Sequence, residues 1–140
     1  MKWIRGSHFT ICDDKSSVNP DTVADLLQES HWAANRSKKA IQTSIENSLC
    51  FCLFASETQI GFSRMLTDYA TYAVILDFIV AGPYRGKGLG TWLMGVMTNH
   101  PKVKNLRQIL WTSTAVSFYE QFGFTVIRDM PRTLVKPVFQ

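Results

Sequence analysis

The sequence predicts a mixed α/β fold built on one central sheet, and two observations support this. Along the 140 residues, apolar runs typical of strands alternate with segments whose apolar residues recur every three or four positions, as in helices. Neither a repeat nor a low-complexity linker divides the chain. We therefore expect a single domain over residues 1–140, with a mixed sheet of about six to seven strands and about four helices on its faces.

The first half of the chain is predicted to form a strand, two helices and a hairpin. The first strand lies near residues 3–11. The run Asn-Pro-Asp at 19–21 is typical of a helix start, with a capping side chain, a proline in the first turn and an acid at the positive end of the dipole. A second helix spans about 37–47, and residues 51–54 and 60–67 pair as a hairpin.

The second half continues this alternation. Residues 73–80 are almost continuously apolar, as expected of a central strand covered on both faces, and residues 89–100 form an amphipathic helix. A strand at 108–112 precedes a short helix at 114–122, which Ser113 or Thr114 caps and Gly123 ends. Residues 124–127 and 133–138 are predicted to be closing strands.

Composition is that of an ordinary soluble globular protein, with 46% hydrophobic and 19% charged residues. No apolar run could cross a bilayer and no secretion signal opens the chain, so we expect a cytoplasmic protein without a membrane partner. The net charge of +4 suits a polyphosphate ligand. It would also suit nucleic acid, but the basic residues are scattered, so we expect no nucleic-acid partner.

The three cysteines predict neither a disulfide framework nor a metal site. Cys50 and Cys52 would share one face of a strand, and Cys12 is distant in sequence. A metal site that combines them with His31 lacks a second ligand pair with zinc-like spacing. Small apolar residues in a strand are the simpler interpretation, and we expect no metal.

A glycine-rich basic turn joins the central strand to the amphipathic helix. Its residues are Tyr84-Arg85-Gly86-Lys87-Gly88-Leu89-Gly90. The first amides of a helix lack partners within the helix and lie at the positive end of its dipole, so they attract anions. Glycines let an anion approach those amides, and basic side chains add charge. The turn therefore indicates a phosphate site.

Two common phosphate motifs do not match this turn. A Walker loop requires Gly-Lys-Ser/Thr at its end, whereas Leu89 and Gly90 follow Gly88. A dinucleotide fingerprint starting at Gly86 would need its third glycine at position 91, which is Thr91. Both classes are excluded.

Two segments instead resemble the GNAT superfamily of acetyl-CoA-dependent N-acetyltransferases. Arg85-x-x-Gly88-x-Gly90 is similar to that family's pyrophosphate loop, Gln/Arg-x-x-Gly-x-Gly/Ala. Some thirty residues later, the run Ala-Val-Ser-Phe-Tyr-Glu-Gln-Phe-Gly-Phe at 115–124 resembles its Ala-x-x-x-Tyr-x-x-x-Gly-Phe segment. The resemblance covers about residues 50–128 and implies a GNAT-like fold.

The resemblance also implies acetyl-CoA as the cofactor. The strand at 78–80 would splay from its neighbour and pair with the pantetheine arm, while an amide near Ile79 or Val80 polarises the thioester carbonyl. Thr112 stands where many members carry an asparagine that contacts this arm. The expected cofactor-binding residues are Phe78, Ile79, Val80, Arg85, Gly86, Lys87, Gly88, Leu89, Gly90, Thr91, Thr112 and Ser117.

Two residues are candidates for catalytic roles. The resemblance implies that Tyr119 protonates the departing thiolate, although Tyr119 would also fit as a core aromatic with an anchored hydroxyl. Asp77 interrupts the central strand, where burial would raise its affinity for protons and make it a candidate base. It could equally be a structural carboxylate bonded to backbone amides or to an arginine.

The resemblance places the acceptor pocket at residues 30–37 and 64–72. Arg36 and Arg64 could clamp a carboxylate or phosphate of the acceptor, or Asp68 could hold its amine. Alternatively, Trp32 seals the helix junction and the arginines make surface ion pairs. The candidate substrate-binding residues are Trp32, Arg36, Arg64, Asp68 and Tyr72.

The function implied is transfer of an acetyl group from acetyl-CoA to a primary amine of a small molecule, by direct attack in a ternary complex. Two alternatives stay open: acetylation of protein lysines or N-termini, and a regulatory module that binds acyl-CoA without turnover. The expected partner is the small-molecule amine, and a homodimer stays open as well.

Overall fold

The computed structural model describes residues 1–128 and 132–137 and shows a mixed sheet with helices on both faces. Neighbouring strands follow chain order and are antiparallel, except for a parallel pair at the end. The strands are β1 (Lys2–Arg5), β2 (Phe9–Cys12), β3 (Leu49–Ala55), β4 (Thr58–Thr67), β5 (Tyr72–Val80) and β6 (Arg107–Ile109). The α-helices are α1 (Pro20–Leu27), α2 (Lys38–Glu46), α3 (Leu89–Thr98) and α4 (Val116–Glu120). The predicted mixed α/β fold is confirmed.

The two N-terminal helices begin where the sequence predicts. The Asn19 side chain accepts a hydrogen bond from the Asp21 amide at 2.9 Å, and Ser37 Oγ accepts one from the Ala40 amide at 3.1 Å. Each bond satisfies a backbone donor that the first helical turn leaves free. None of the helices in the described ranges combines the length and apolarity that crossing a membrane requires.

The sheet separates two hydrophobic clusters. One lies between the sheet and α3, and its fully buried members include Phe51, Leu53, Met65, Leu93 and Met97. The other lies beneath α1 and α2, and includes Val23, Leu27, Ile41, Cys52 and Phe62. Strand β3 is buried on both faces as a result, which explains its nearly continuous apolar sequence.

The first predicted strand was wrong in its extent. Residues 3–11 form not one strand but a hairpin, in which Arg5 pairs with Phe9. Gly6 lies between them with a φ of 63°, in the left-handed region that glycine adopts without steric cost. The chain therefore reverses at this glycine, and the apolar pattern alone did not reveal the reversal.

The end of the chain also differs from prediction. Residues 124–127 and 133–137 have no strand pairing, and residue 138 lies outside the described residues. The last described strand, β6, is three residues long and pairs with β5. Alternating apolar residues favour a strand, but a strand forms only where another offers a ladder of hydrogen bonds.

The helix before this region is shorter than predicted and capped differently. α4 begins at Val116 rather than 114, and neither Ser113 nor Thr114 caps it. Thr112, predicted to end a strand, instead accepts a hydrogen bond from the Ala115 amide through Oγ1 at 3.0 Å. Gly123 has a φ of 90°, in agreement with the predicted left-handed helix terminus.

Two irregularities of β5 position the site. Pairing between β5 and β6 covers only the first residues of β5 and ends at Val74–Ile109. Further along, Asp77 adopts a φ of 56°, and the register with β4 shifts between Phe62 and Arg64. The last residues of β5 therefore keep β4 on one side, while β6 no longer pairs with them on the other.

We predict that Gly61→Val destabilises the fold by about 1–3 kcal/mol, because it overpacks the sheet beneath the end of β5. A Cβ at this position would lie 3.1 Å from the carbonyl oxygen of Ile79 and 3.1 Å from Leu53 Cβ. Urea denaturation measures the loss. Gly82→Ala is the matched control, since a Cβ there would meet nothing within 4 Å. Equal midpoints for the two variants would contradict the prediction.

Candidate active site

A cleft of about 580 Å³ opens where β5 leaves β6. The end of β5, the glycine-rich turn and α4 form its walls, and the loop after α1 forms its rim. The lining residues are Glu29, Ser30, Trp32, Phe78, Ile79, Val80, Tyr84, Arg85, Gly86, Gly88, Gly90, Thr91, Ala115, Phe118 and Tyr119. Both sequence motifs thus meet in one cavity, although some thirty residues separate them along the chain.

The glycine-rich turn presents the start of α3 to the cleft. Gly86 and Gly88 have φ values of 79° and 77°, which a residue with a Cβ adopts only under strain. Gly88 is the N-cap residue of α3, and no side chain caps the helix there. The first amides of α3 therefore stay available to an anion at the positive end of the helix dipole.

The two basic residues of the turn are already engaged in contacts. Arg85 Nε donates to the carbonyl oxygen of Val80 at 2.8 Å, and Arg85 Nη2 lies 3.3 Å from Glu29 Oε2. Lys87 Nζ lies 5.5 Å from the centroid of the Tyr84 ring. Arg85 thus ties the turn to the end of β5 and to the segment after α1, and it lines the cleft.

Tyr119 lines the cleft from α4. Its ring packs edge-on against Phe118, with centroids 5.0 Å apart, and against Phe124 at 6.2 Å. Burial raises the pKa of Tyr119 above its usual value, so the phenol keeps its proton at neutral pH. The ring therefore packs among aromatics, as in the core interpretation, while the side chain also borders the cavity.

Asp77 is the centre of a buried ion cluster. Its Oδ2 accepts hydrogen bonds from Arg36 Nη1 at 2.6 Å and from Arg64 Nε at 2.7 Å. Arg64 Nη1 also donates to Ser48 Oγ at 3.1 Å. The cluster joins the loop between α1 and α2 to β4 and β5, and it carries one net positive charge.

The expected proton affinity of Asp77 was wrong in direction. Burial alone would raise the pKa of Asp77, but the hydrogen bonds and charges of Arg36 and Arg64 outweigh it and hold the pKa below its usual value. A carboxylate that two guanidinium groups hold is a weak proton acceptor. Of the two interpretations of Asp77, the geometry favours the structural carboxylate bonded to arginine.

The candidate acceptor residues do not form one group. Trp32 lines the cleft and is half-exposed. Arg36 and Arg64 bind Asp77, and only Arg36 keeps substantial exposure, at 26% of its side chain against 11% for Arg64.

Asp68 and Tyr72 lie apart from the cleft. The Asp68 carboxylate accepts hydrogen bonds from the Thr71 hydroxyl and from the amides of Thr71 and Ala70 within its own turn, and these lower its pKa. The ring of Tyr72 lies 5.9 Å from the Arg107 guanidinium. Asp68 thus stabilises the turn between β4 and β5.

Four of the expected cofactor-binding residues are not among those lining the cleft: Lys87, Leu89, Thr112 and Ser117. Thr112 caps the segment before α4, Ser117 is exposed on α4, and the Leu89 side chain is buried in the core. Leu89 therefore takes part only through its backbone at the start of α3. Among residues 1–128 and 132–137, no group of three or more His, Cys, Asp or Glu side chains is placed to hold a metal ion.

Sequence reasoning missed three residues around the site. Glu29 lines the cleft and pairs with Arg85, Ser48 completes the Asp77 cluster, and Arg5 of β1 donates from Nη1 to the carbonyl oxygen of Gly88 at 3.1 Å. Arg5 and Gly88 are 83 residues apart, and none of the three belongs to a motif. No local pattern could have identified them.

Comparison with known proteins agrees with this geometry. Residues 46–126, more than half of the chain, match the family model of the acetyltransferase (GNAT) domain. The chain belongs to the GNAT family of acetyltransferases. The matched span includes both motifs, β5 and every residue of the turn, whereas the rim residues Glu29, Ser30 and Trp32 precede it.

Solved structures and curated sequences resemble this GNAT chain along most of its length. A crystal structure from Xanthomonas campestris pv. campestris, assigned to the GNAT family, has a TM-score of 0.82 and 32% identity, and the match covers 91% of this chain and 94% of that one. The aminoglycoside N-acetyltransferase AAC(6')-Iy in complex with CoA shares the fold, with a TM-score of 0.68, 16% identity and coverage of 96% and 97%.

An uncharacterized N-acetyltransferase, ycf52 of Gracilaria tenuistipitata var. liui, is 28% identical over 121 residues, which cover 81% of this chain. The chain spans 66% of the length of the curated relatives it matches.

We predict that Asp77→Asn lowers the free energy of unfolding by about 3 kcal/mol at pH 7, because it leaves two arginines without their shared carboxylate. The pKa of Asp77 is lower in the folded chain than in the unfolded chain, where it is about 3.9. The cluster therefore stabilises the fold fully above that pH and loses its effect as pH falls through the folded pKa. Urea denaturation from pH 7 to pH 3 should show the difference from wild type shrinking below about pH 4.

Asp21→Asn is the matched control for this prediction. Asp21 pairs with Lys38 on the surface, with side chains 66% and 69% exposed, so its loss should change stability little. Equal losses for the two variants would show that the Asp77 cluster contributes no more than a surface pair.

Proposed function

We propose that this GNAT chain transfers the acetyl group of acetyl-CoA to a primary amine of a small molecule. The observation that carries the proposal is that the glycine-rich turn and Tyr119 line the same cleft. A polyphosphate at the turn would anchor the cofactor at one end, and its thioester would extend along β5 toward the tyrosine. The volume of the cleft, about 580 Å³, is within the range of small-ligand sites.

The cofactor part of the proposal rests on the turn and on the free side of β5. Gly86 and Gly88 leave room for phosphate oxygens at the start of α3, where the helix dipole is positive. Pairing with β6 ends at Val74, so residues 78–80 do not pair with β6, which supports the proposal that their backbone groups bind the pantetheine arm. The related fold of AAC(6')-Iy is known in complex with CoA, which supports the same ligand here.

The proposed reaction is direct attack within a ternary complex. The amine nitrogen forms a bond to the carbonyl carbon of the thioester, and an amide of β5 near Ile79 or Val80 stabilises the oxygen as negative charge develops. The carbon–sulfur bond then breaks, and the Tyr119 phenol donates its proton to the thiolate. The amine nitrogen releases a proton to solvent in the open cleft. Solvent then returns a proton to the Tyr119 phenolate.

This scheme assigns Asp77 a structural role instead of the role of base. Its two arginines hold it ionised and tied to β4 and the loop after α1. Arg36, the more exposed of the pair, is the arginine that could meet a carboxylate or phosphate on the acceptor. Trp32 at the rim would pack against the acceptor's apolar part.

We predict that acetyl-CoA binds the wild-type chain and that Gly88→Trp abolishes this binding. The indole would fill the approach to the first amides of α3, and a φ of 77° does not suit a residue with a Cβ. Isothermal titration calorimetry with acetyl-CoA, dephospho-CoA and ATP measures the affinities. Gly82→Ala, which adds a methyl group in open space, is the folded control. Wild-type protein that fails to bind millimolar acetyl-CoA would refute the cofactor assignment.

We predict that Tyr119→Phe lowers kcat by about 10²–10⁴-fold and leaves acetyl-CoA affinity nearly unchanged, since only the proton donor is lost. Release of free thiol, followed against a panel of small amines and lysine peptides, gives the rate. Turnover at the wild-type rate would make Tyr119 a packing residue. Peptides accepted in preference to every small amine would point to protein acetylation instead.

A further inference from the structure

Arg5 contacts the phosphate-binding turn from a distant part of the chain. It is the last residue of β1, and its Nη1 donates to the carbonyl oxygen of Gly88 at 3.1 Å. The same carbonyl accepts the first hydrogen bond of α3, from the Trp92 amide at 3.1 Å. A Cβ built on Gly88 would lie 3.5 Å from Arg5 Nη2. The guanidinium thus lies directly beside the N-cap residue of α3.

The pleat of β1 explains why Arg5 points toward the turn. Side chains two residues apart share a face of a strand, so Arg5 lies on the same face as Trp3. Trp3 packs against the core cluster beneath α3, whereas Ile4, on the other face, is 75% exposed. The pairing of Arg5 with Phe9, which also packs against that cluster, holds the end of β1 in place.

Arg5 and Arg85 differ in whether an acidic side chain lies beside them. Arg85 is paired with Glu29, whose carboxylate offsets part of its charge. Within the described ranges, the ion pairs do not include Arg5. Because a guanidinium has five N–H donors and a fixed positive charge, the bond to Gly88 leaves most of its donors for an anion.

We propose that Arg5 is a further cofactor-binding residue, which orders the N-cap of α3 and supplies uncompensated positive charge to the phosphates at the turn. This inference rests on the proposed function for the identity of the ligand. It adds a residue from the N-terminal strand to a site otherwise built from the segment after β5. Arg5 would also provide positive charge at the turn that the pairing of Glu29 with Arg85 does not offset.

The test compares ligands with and without phosphates. Acetyl-CoA, S-acetylpantetheine and inorganic pyrophosphate are titrated into wild type, Arg5→Gln, Arg5→Lys and Lys2→Gln. Lys2 lies on the same strand but faces away from Arg5 by the alternation of side chains, so it controls for net charge. Charge-assisted hydrogen bonds predict that Arg5→Gln weakens acetyl-CoA and pyrophosphate binding about five- to tenfold, and S-acetylpantetheine binding not at all.

The expected pattern has three further parts. Arg5→Lys should recover part of the lost affinity, because lysine restores the positive charge but not the paired N–H donors of a guanidinium. Lys2→Gln should bind all three ligands as wild type does. Binding of acetyl-CoA to Arg5→Gln should also depend less steeply on salt concentration than binding to wild type.

Three outcomes separate this inference from the proposed function. Unchanged affinity of Arg5→Gln for both phosphate ligands would overturn the role of Arg5. Equal weakening of acetyl-CoA and S-acetylpantetheine would also overturn it, because it would indicate a general structural defect. Wild-type protein that binds pyrophosphate in an Arg5-dependent way but not acetyl-CoA would refute the proposed function and leave the anion site with Arg5 in place.

Discussion

The buried contact between Asp77 and two arginines is the interaction on which the site depends. Asp77 lies in the middle of β5, in a backbone conformation that residues with a Cβ rarely adopt, and such a conformation persists only where surrounding contacts hold it. Arg36 and Arg64 provide those contacts from a loop and from the neighbouring strand. Just beyond this point β5 carries the cleft residues 78–80. The irregular register, the loop at the rim and the wall of the cleft are thus held by one carboxylate.

Electrostatics divides the site into regions with different tasks. At the turn, positive charge comes from the helix dipole, from Arg5 and from Arg85, and Glu29 offsets part of it. Around Tyr119 the environment is aromatic and half-buried, which keeps the phenol protonated. Under the proposed function, this separation would place positive charge at the phosphates of the cofactor and a proton donor near its sulfur.

The site combines one local segment with residues from distant parts of the chain. The glycine-rich turn is local, because strand, turn and helix are consecutive in sequence. Two of its contacts come from distant segments, Arg5 from β1 and Glu29 from the segment after α1, and Tyr119 of α4 borders the same cleft. A chain of 140 residues thus forms a cleft bordered by four of its segments.

Local chemistry in the sequence determined the fold class, the caps at Asn19 and Ser37, the hairpin of β3 and β4, and both motifs of the cleft, because each depends on residues close together in the chain. Tertiary structure alone decided the rest. The sequence left Asp77 open between a candidate base and a structural carboxylate, and its arginine partners, 13 and 41 residues away, favour the structural carboxylate. The pattern of residues 124–127 favoured a strand, but β6 is short and offers them no ladder. Arg5 contacts Gly88 only through the tertiary structure, because the two residues are 83 positions apart and no local sequence pattern predicts such a contact.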